Sequence, residues 1–230
     1  SLASLLDDPN PAVQIEVART LRLSRGHPEV QQASERKLRS IASADGSSRL
    51  RSQLEFLIDP ESVKRPSSVD DWQTLLGSGG DPDAGRRVFF SKNSLCINCH
   101  AVDGRGDRLG TGSEAAFISL PFGPDLSVIG RTADRNALIR SIVRPGESIA
   151  PEYQGWFVRL KNGTTETGRQ IDQARNSIQL VKLDGREYDY PLSDIESWGA
   201  MEHSLMPEGL PQSMAIEEFR DLIAYLESLK

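Results

Sequence analysis

Both cysteines of the chain lie within five residues of a histidine, in the segment SLCINCH at residues 94–100. Two residues separate Cys96 from Cys99, and His100 directly follows the second cysteine. Two thiols at this spacing can add to the two vinyl groups of one haem, and the adjacent imidazole then lies under the iron. The spacing therefore predicts one covalent haem c, attached through both thiols, with His100 as an axial ligand of the iron.

Three other chemistries can use two nearby thiols. A thioredoxin-like dithiol needs the pair at the end of a strand in a βαβ unit, whereas a helical pattern precedes Cys96. A zinc site needs four ligands, and only His27 and His203 remain as further histidines, with no third cysteine. A disulfide across two residues closes a very small loop and adds little stability. Haem attachment is favoured, and the other three remain alternatives.

A second axial ligand to the iron is expected among the three methionines. Met206 lies in SLMPEGLP, where proline and glycine favour an extended loop just before the last helix. Met214 lies at the start of that helix, where methionine is a common core residue. Met201 at a strand end and His203 are further candidates. Met206 is the predicted ligand, because a thioether suits an electron-transfer haem.

Helical patterns fill the first quarter of the chain. The segments NPAVQIEVARTL, HPEVQQASERKLRSIA and SSRLRSQLEFLID each repeat apolar residues at helical spacing. The pattern DDPNPAVQIEVARTL resembles a HEAT repeat, so residues 1–58 are predicted to be a HEAT-like region, with an ordinary helical bundle as the alternative. Residues 59–80 are rich in Pro, Gly and Ser and read as a linker with one short helix.

The pattern changes over residues 81–230. Helical segments flank the cysteines and end the chain, in PDAGRRVFF, TADRNALIRSIV and MAIEEFRDLIAYLESLK. Between them, four short runs favour strands, and KNG and LDG between the runs indicate turns. A small antiparallel sheet or barrel is therefore predicted over approximately 150–200.

The segment GPDLSVIGR resembles the Gly-Pro-x-Leu pattern that follows the haem motif in class I cytochromes c. The resemblance implies that the carbonyl group of Pro124 accepts a hydrogen bond from His100, and that Arg131 contacts a haem propionate. It also implies that the last helix, with Tyr225, crosses the helix that carries Gly85. Class I cytochromes usually lack the long β-rich stretch found here.

A closer layout is that of the haem-binding domains of planctomycete and verrucomicrobial proteins, which this chain resembles over about 150 residues. The expected fold class is therefore mainly α: a cytochrome c-like haem domain over 81–230, preceded by HEAT-like helices, with an inserted small antiparallel β subdomain. The resemblance also implies a periplasmic or exported location, because c-type haem is attached outside the cytoplasm. The opening SLASLLDDPN reads as a piece of a longer protein.

Composition limits the partners of this chain. A net charge of −6 without a basic tract argues against nucleic acid, and acidic residues concentrated after residue 66 favour a basic redox partner. No run of eighteen apolar residues exists, so no membrane-spanning helix is expected.

The predicted function is one-electron transfer, not catalysis, and a dehydrogenase in the same longer chain is the expected donor. A haem-based sensor or gas-binding module is the alternative, and a haem-free dithiol oxidoreductase is a further one. No Ser/His/Asp arrangement in the sequence indicates a catalytic triad.

Overall fold

The computed structural model describes residues 1–41, 48–91, 93–103, 105–106, 122–174 and 176–230. The chain forms two compact units. Unit 1 comprises Ser1–Leu76 and Met214–Phe219, and unit 2 comprises Gly77–Ser213 and Arg220–Lys230. The helix that closes the chain thus contributes its first residues to unit 1 and the others to unit 2.

Unit 1 is helical in its described part. Its full helices are α1 (Pro11–Leu21), α2 (Pro28–Ser40), α3 (Ser48–Ile58) and α4 (Val69–Leu76), and a 3-10 helix precedes them at Leu2–Asp7. Local contacts fix the start of α1: the side chain of Asn10 accepts a hydrogen bond from the backbone N–H of Ala12 at 2.9 Å, and Pro11 is the first residue of the helix. The core consists of Leu6, Val17, Ala18, Leu21, Val30, Ala33, Leu50, Leu54 and Leu57.

A buried carboxylate ties the start of the last helix, α8 (Ile216–Ser228), into unit 1. Glu218 Oε1 accepts a hydrogen bond from Arg19 Nε at 2.5 Å. Glu218 Oε2 forms an ion pair with Arg22 Nη2 at 2.7 Å. Glu218 Oε2 also accepts a hydrogen bond from the backbone N–H of Ala215 at 2.8 Å. A glutamate at the third position of a helix often accepts such a bond from the residue that precedes the helix. One carboxylate therefore binds two buried guanidinium groups and caps the helix, and Glu16, 2.8 Å from Arg19 Nη1, supplies a second negative charge.

The helices of unit 2 pack closely against the rest of α8. They are α5 (Pro82–Phe89), α6 (Ile129–Thr132) and α7 (Arg135–Val143). A Cβ atom on Gly85 would lie 1.9 Å from the carbonyl oxygen of Asp221, and one on Gly130 would lie 2.3 Å from that of Glu227. Only glycine permits such backbone contacts, so α5 and α6 both approach α8 through residues without a side chain.

A five-stranded antiparallel sheet forms the other half of unit 2. Its strands are β3 (Gly155–Leu160), β4 (Thr165–Ala174), β5 (Ser177–Val181), β6 (Glu187–Pro191) and β7 (Ile195–Ala200). They lie in the order β6-β5-β4-β3-β7, so four strands form a meander and the fifth returns beside the first. A short hairpin of β1 (Ala101–Val102) and β2 (Arg105–Gly106) directly follows His100. The core of the sheet contains Val158, Ile178, Leu180, Tyr190 and Ile195.

The predicted fold class, mainly α with a small inserted β subdomain, is wrong. The protein is a mixed α/β structure, about 49% helical and 16% strand, with a full five-stranded sheet. The sheet also belongs to the same compact unit as α5, α6 and α7. Four of the strands, β3 to β6, fall in the predicted runs, and the sheet is larger than predicted because β7 also joins it, beside β3. No helix within the described residues has the length and apolar character needed to cross a membrane.

Candidate functional site

The Cys/His segment begins where α5 ends. The buried Ser94 hydroxyl lies 2.7 Å from the carbonyl oxygen of Val88 and 3.2 Å from that of Phe89. It therefore provides a hydrogen-bond donor for carbonyl groups at the end of α5. Leu95 then adopts the left-handed region with φ of 63°, which is strained for a leucine and is the kind of outlier found at functional sites. This sharp change of direction starts the turn that carries the cysteines.

Cys96, Cys99 and His100 lie on one tight turn. Residues Cys96–Asn98 form a 3-10 helix. The carbonyl oxygen of Cys96 accepts hydrogen bonds from the backbone N–H groups of Cys99 at 3.2 Å and of His100 at 2.9 Å. The turn therefore brings the two half-buried thiols and the imidazole together within a single structural element.

The Cys96 thiol lacks the lowered pKa that is typical of a reactive dithiol. Cys96 and Cys99 are not joined in a disulfide. Burial raises the pKa of the Cys96 thiol, against the opposing effect of its contact with Ser94. Redox-active thiols instead have a lowered pKa, because the thiolate is the nucleophile. The described part of the chain also contains no group of three or more His, Cys, Asp or Glu side chains arranged to hold a metal ion, so it offers no four-ligand zinc site.

The orientation of the His100 ring is set by a backbone carbonyl group. Its Nδ1 atom lies 2.8 Å from the carbonyl oxygen of Pro124. A carbonyl oxygen only accepts, so Nδ1 carries the hydrogen in this bond and Nε2 keeps its lone pair. Burial lowers the pKa of the His100 imidazole, although the bond to Pro124 acts in the opposite direction. Burial thus favours the neutral imidazole, and the bond places its hydrogen on Nδ1, so that Nε2 carries the lone pair that could bind a metal.

Gly123 sits directly against the His100 ring. A Cβ atom at this position would lie 2.9 Å from His100 Cε1, 3.0 Å from Nδ1 and 2.9 Å from the carbonyl oxygen of Cys99. The backbone N–H of Gly123 donates to that same carbonyl oxygen at 2.7 Å. Gly123 thus closes the loop from His100 to Pro124, and only a residue without a side chain fits. The Gly-Pro dipeptide was the sequence signal for this position, but the sequence analysis assigned a role to the proline alone.

Replacing Gly123 with alanine is expected to push the His100 ring away from Pro124. Crowding of this kind costs about 1–3 kcal/mol of the free energy of unfolding, because the neighbouring backbone has to shift. The ring N–H signal of His100 in NMR spectra should weaken or disappear, since its acceptor is displaced. Gly146→Ala is the control, because the nearest atom to a Cβ there is 3.8 Å away. Equal stability and an unchanged ring signal in Gly123→Ala would show that the contact is not needed.

The candidates for the second axial ligand have different surroundings. Met206 is half-buried in unit 2, the unit of His100, and its backbone N–H donates to Ser204 Oγ at 3.1 Å. Met214 is buried in unit 1. The sulfur of Met201 packs against Gly155, where a Cβ atom would come within 3.2 Å of it, and His203 is exposed. Met201 and Met214 thus have packing roles of their own, which favours Met206 as the ligand.

The donor set of this site fits a covalent haem. It offers two thiols on one turn and an imidazole whose Nε2 is available, and Met206 supplies a thioether in the same unit. Arg131 lies exposed on α6, and its contact with a propionate stays a prediction. Ser94 was not among the predicted site residues, because one serine among many carries no signal of its own in the sequence.

The chain matches no protein-family model, and a comparison with curated proteins finds no match either. What bears on its function is therefore the geometry of the site: the two thiols, the imidazole and the carbonyl oxygen that orients it.

Proposed function

We propose that this chain binds one haem c and transfers single electrons. The observation that carries the proposal is the bond of His100 Nδ1 to the Pro124 carbonyl oxygen, directly beside the two thiols. That bond selects the tautomer in which Nε2 can ligate an iron, and a metal-ligating histidine is characteristically held in this way through its other nitrogen. A histidine that merely filled the core would need no pair of thiols on the same turn.

Each residue of the site has a defined part in the proposal. The thiols of Cys96 and Cys99 each add across one vinyl group: the sulfur bonds to one vinyl carbon and the thiol hydrogen goes to the other. His100 and Met206 would be the protein ligands of the iron, and Pro124 would keep the imidazole in place. The haem, when bound, supplies a reversible one-electron change at its iron. Two protein ligands on the iron would leave no open position for a substrate.

The ligand pair also favours electron transfer over sensing. A methionine thioether is neutral, so it favours the reduced iron and raises the potential of the site. The net charge of −6 favours a basic redox partner. We further propose that the chain acts in the periplasm or outside the cell, since c-type haem is attached there, and that a dehydrogenase supplies its electrons.

Covalent attachment is tested by producing the chain in cells that mature c-type haem and extracting the protein with acidic organic solvent. We expect the haem to remain on the parent protein and to be lost from the Cys96→Ser/Cys99→Ser double variant. Each single variant is the control, because one thioether link should remain. Extraction of haem from the parent protein, or an absence of haem in it, would contradict the proposal.

A further inference from the structure

The loop that contains Met206 starts directly from the five-stranded sheet. Strand β7 ends at Ala200, and the backbone N–H of Met201 donates to the carbonyl oxygen of Gly155 at 2.8 Å. On the other side, the side-chain amide of Gln154 donates to the carbonyl oxygen of Met201 at 2.8 Å. The first residue of the loop is therefore held through both of its backbone groups by the start of β3.

Gly155 is also where the loop packs onto the sheet. A Cβ atom at this position would lie 2.9 Å from Leu205 Cγ and 3.2 Å from both Leu205 Cδ2 and the sulfur of Met201. Leu205 is the residue immediately before Met206. Gly155 is buried, so its bare backbone is the surface on which the Leu205 side chain lies. Two residues of the loop, at its start and next to the predicted ligand, are thus located by one glycine.

We propose that the sheet positions the distal ligand of the iron, with Gly155 and Gln154 as its positioning residues. Gln154 and the Gly155 carbonyl group hold the start of the loop, and the space above Gly155 receives Leu205. The proposal rests on the function proposed above, in which Met206 ligates the iron. In this proposal the five-stranded sheet of unit 2 supports the ligand loop. Because a hydrogen-bonded sheet is rigid, a ligand attached to it keeps its position during oxidation and reduction.

The test uses the haem-loaded chain and the variant Gly155→Ala. The added methyl group displaces Leu205, so the sulfur-to-iron absorption band should be mostly lost. The reduction potential should fall towards that of Met206→Ala, and carbon monoxide should bind to the reduced protein. The covalent haem should be retained, because the thiols are untouched. The double variant Gly155→Ala/Leu205→Ala removes the closest clashing atoms, those of Leu205, and is expected to recover part of the band and of the potential.

Gly168→Ala is the matched control within the same sheet. A Cβ atom there would lie 2.5 Å from the carbonyl oxygen of Val181 in β5, so this variant crowds the sheet without touching the loop. We expect it to lose thermal stability while the folded protein keeps the absorption band. If Gly155→Ala proves unable to fold, Gln154→Ala tests the same idea without crowding, and a partial loss of the band is expected.

Three results would overturn the inference. The first is a full sulfur-to-iron band in Gly155→Ala, or in Gln154→Ala if that variant is tested in its place. The others are an equal loss of the band in folded Gly168→Ala, and no recovery of the band in the double variant. These three results can be distinguished from a failure of the proposed function. If the parent protein holds no covalent haem, or holds one without a sulfur-to-iron band, the proposed function fails in the parent, and the inference falls with it before any variant is compared.

Discussion

Replacing Met206 with alanine should open the iron site of the proposed haem-loaded protein. Loss of the thioether leaves the iron five-coordinate or water-ligated, so the sulfur-to-iron band disappears and carbon monoxide binds. The potential should fall by on the order of 0.1 V or more, within the range of about 0.8 V over which axial ligands set haem potentials. Absorption spectra and a redox titration measure both effects. Met206→His should restore a low-spin iron at a potential below that of the parent.

Met214→Ala is the control for Met206→Ala. Met214 is buried in unit 1, so its truncation should cost about 2–5 kcal/mol of stability through lost packing while the spectrum stays unchanged. Loss of the band in Met201→Ala or His203→Ala, together with a parent-like Met206→Ala, would assign the ligand elsewhere. A parent protein that is already high-spin and binds carbon monoxide would favour the gas sensor over electron transfer.

Replacing Glu218 with alanine is expected to destabilise unit 1 strongly. The side chain of Glu218 is 3% exposed, and those of Arg19 and Arg22 are 7% and 8% exposed. Removing the carboxylate leaves buried guanidinium charge without its main counter-ion, which costs about 3–5 kcal/mol. It also removes the cap on the Ala215 N–H. Urea denaturation followed by circular dichroism measures the loss.

The exposed ion pair between Arg39 and Glu35 provides the contrast. The Arg39 side chain is 72% exposed, and its nearest carboxylate oxygen on Glu35 is 3.4 Å away. Arg39→Ala should therefore change stability by less than about 1 kcal/mol, since solvent screens such pairs. If Glu218→Ala lowered the free energy of unfolding no more than Arg39→Ala does, the buried carboxylate would not stabilise unit 1.

The local chemistry of the site could be predicted from the sequence because neighbouring residues determine it. The spacing of Cys96, Cys99 and His100 places two thiols and an imidazole on one turn, whatever the rest of the chain does. The start of α1 was equally predictable, since Asn10 caps an N–H only two residues away. The class of fold was not, because a strand is stabilised by its partners: β7 was not among the predicted runs, and its pairing with β3 adds it to the sheet.

Only the tertiary structure decided which distant residues meet at these places. The Pro124 carbonyl group reaches His100 across 24 positions, and Arg19 meets Glu218 across 199. A family resemblance suggested the first contact, whereas nothing in the sequence suggested the second. The same holds for Gly155 beneath Leu205, since a glycine at the start of a strand carries no sign of what will pack on it. Local patterns set turns, caps and ligand spacing, but the contacts that orient the ligands depend on how the packed elements approach one another.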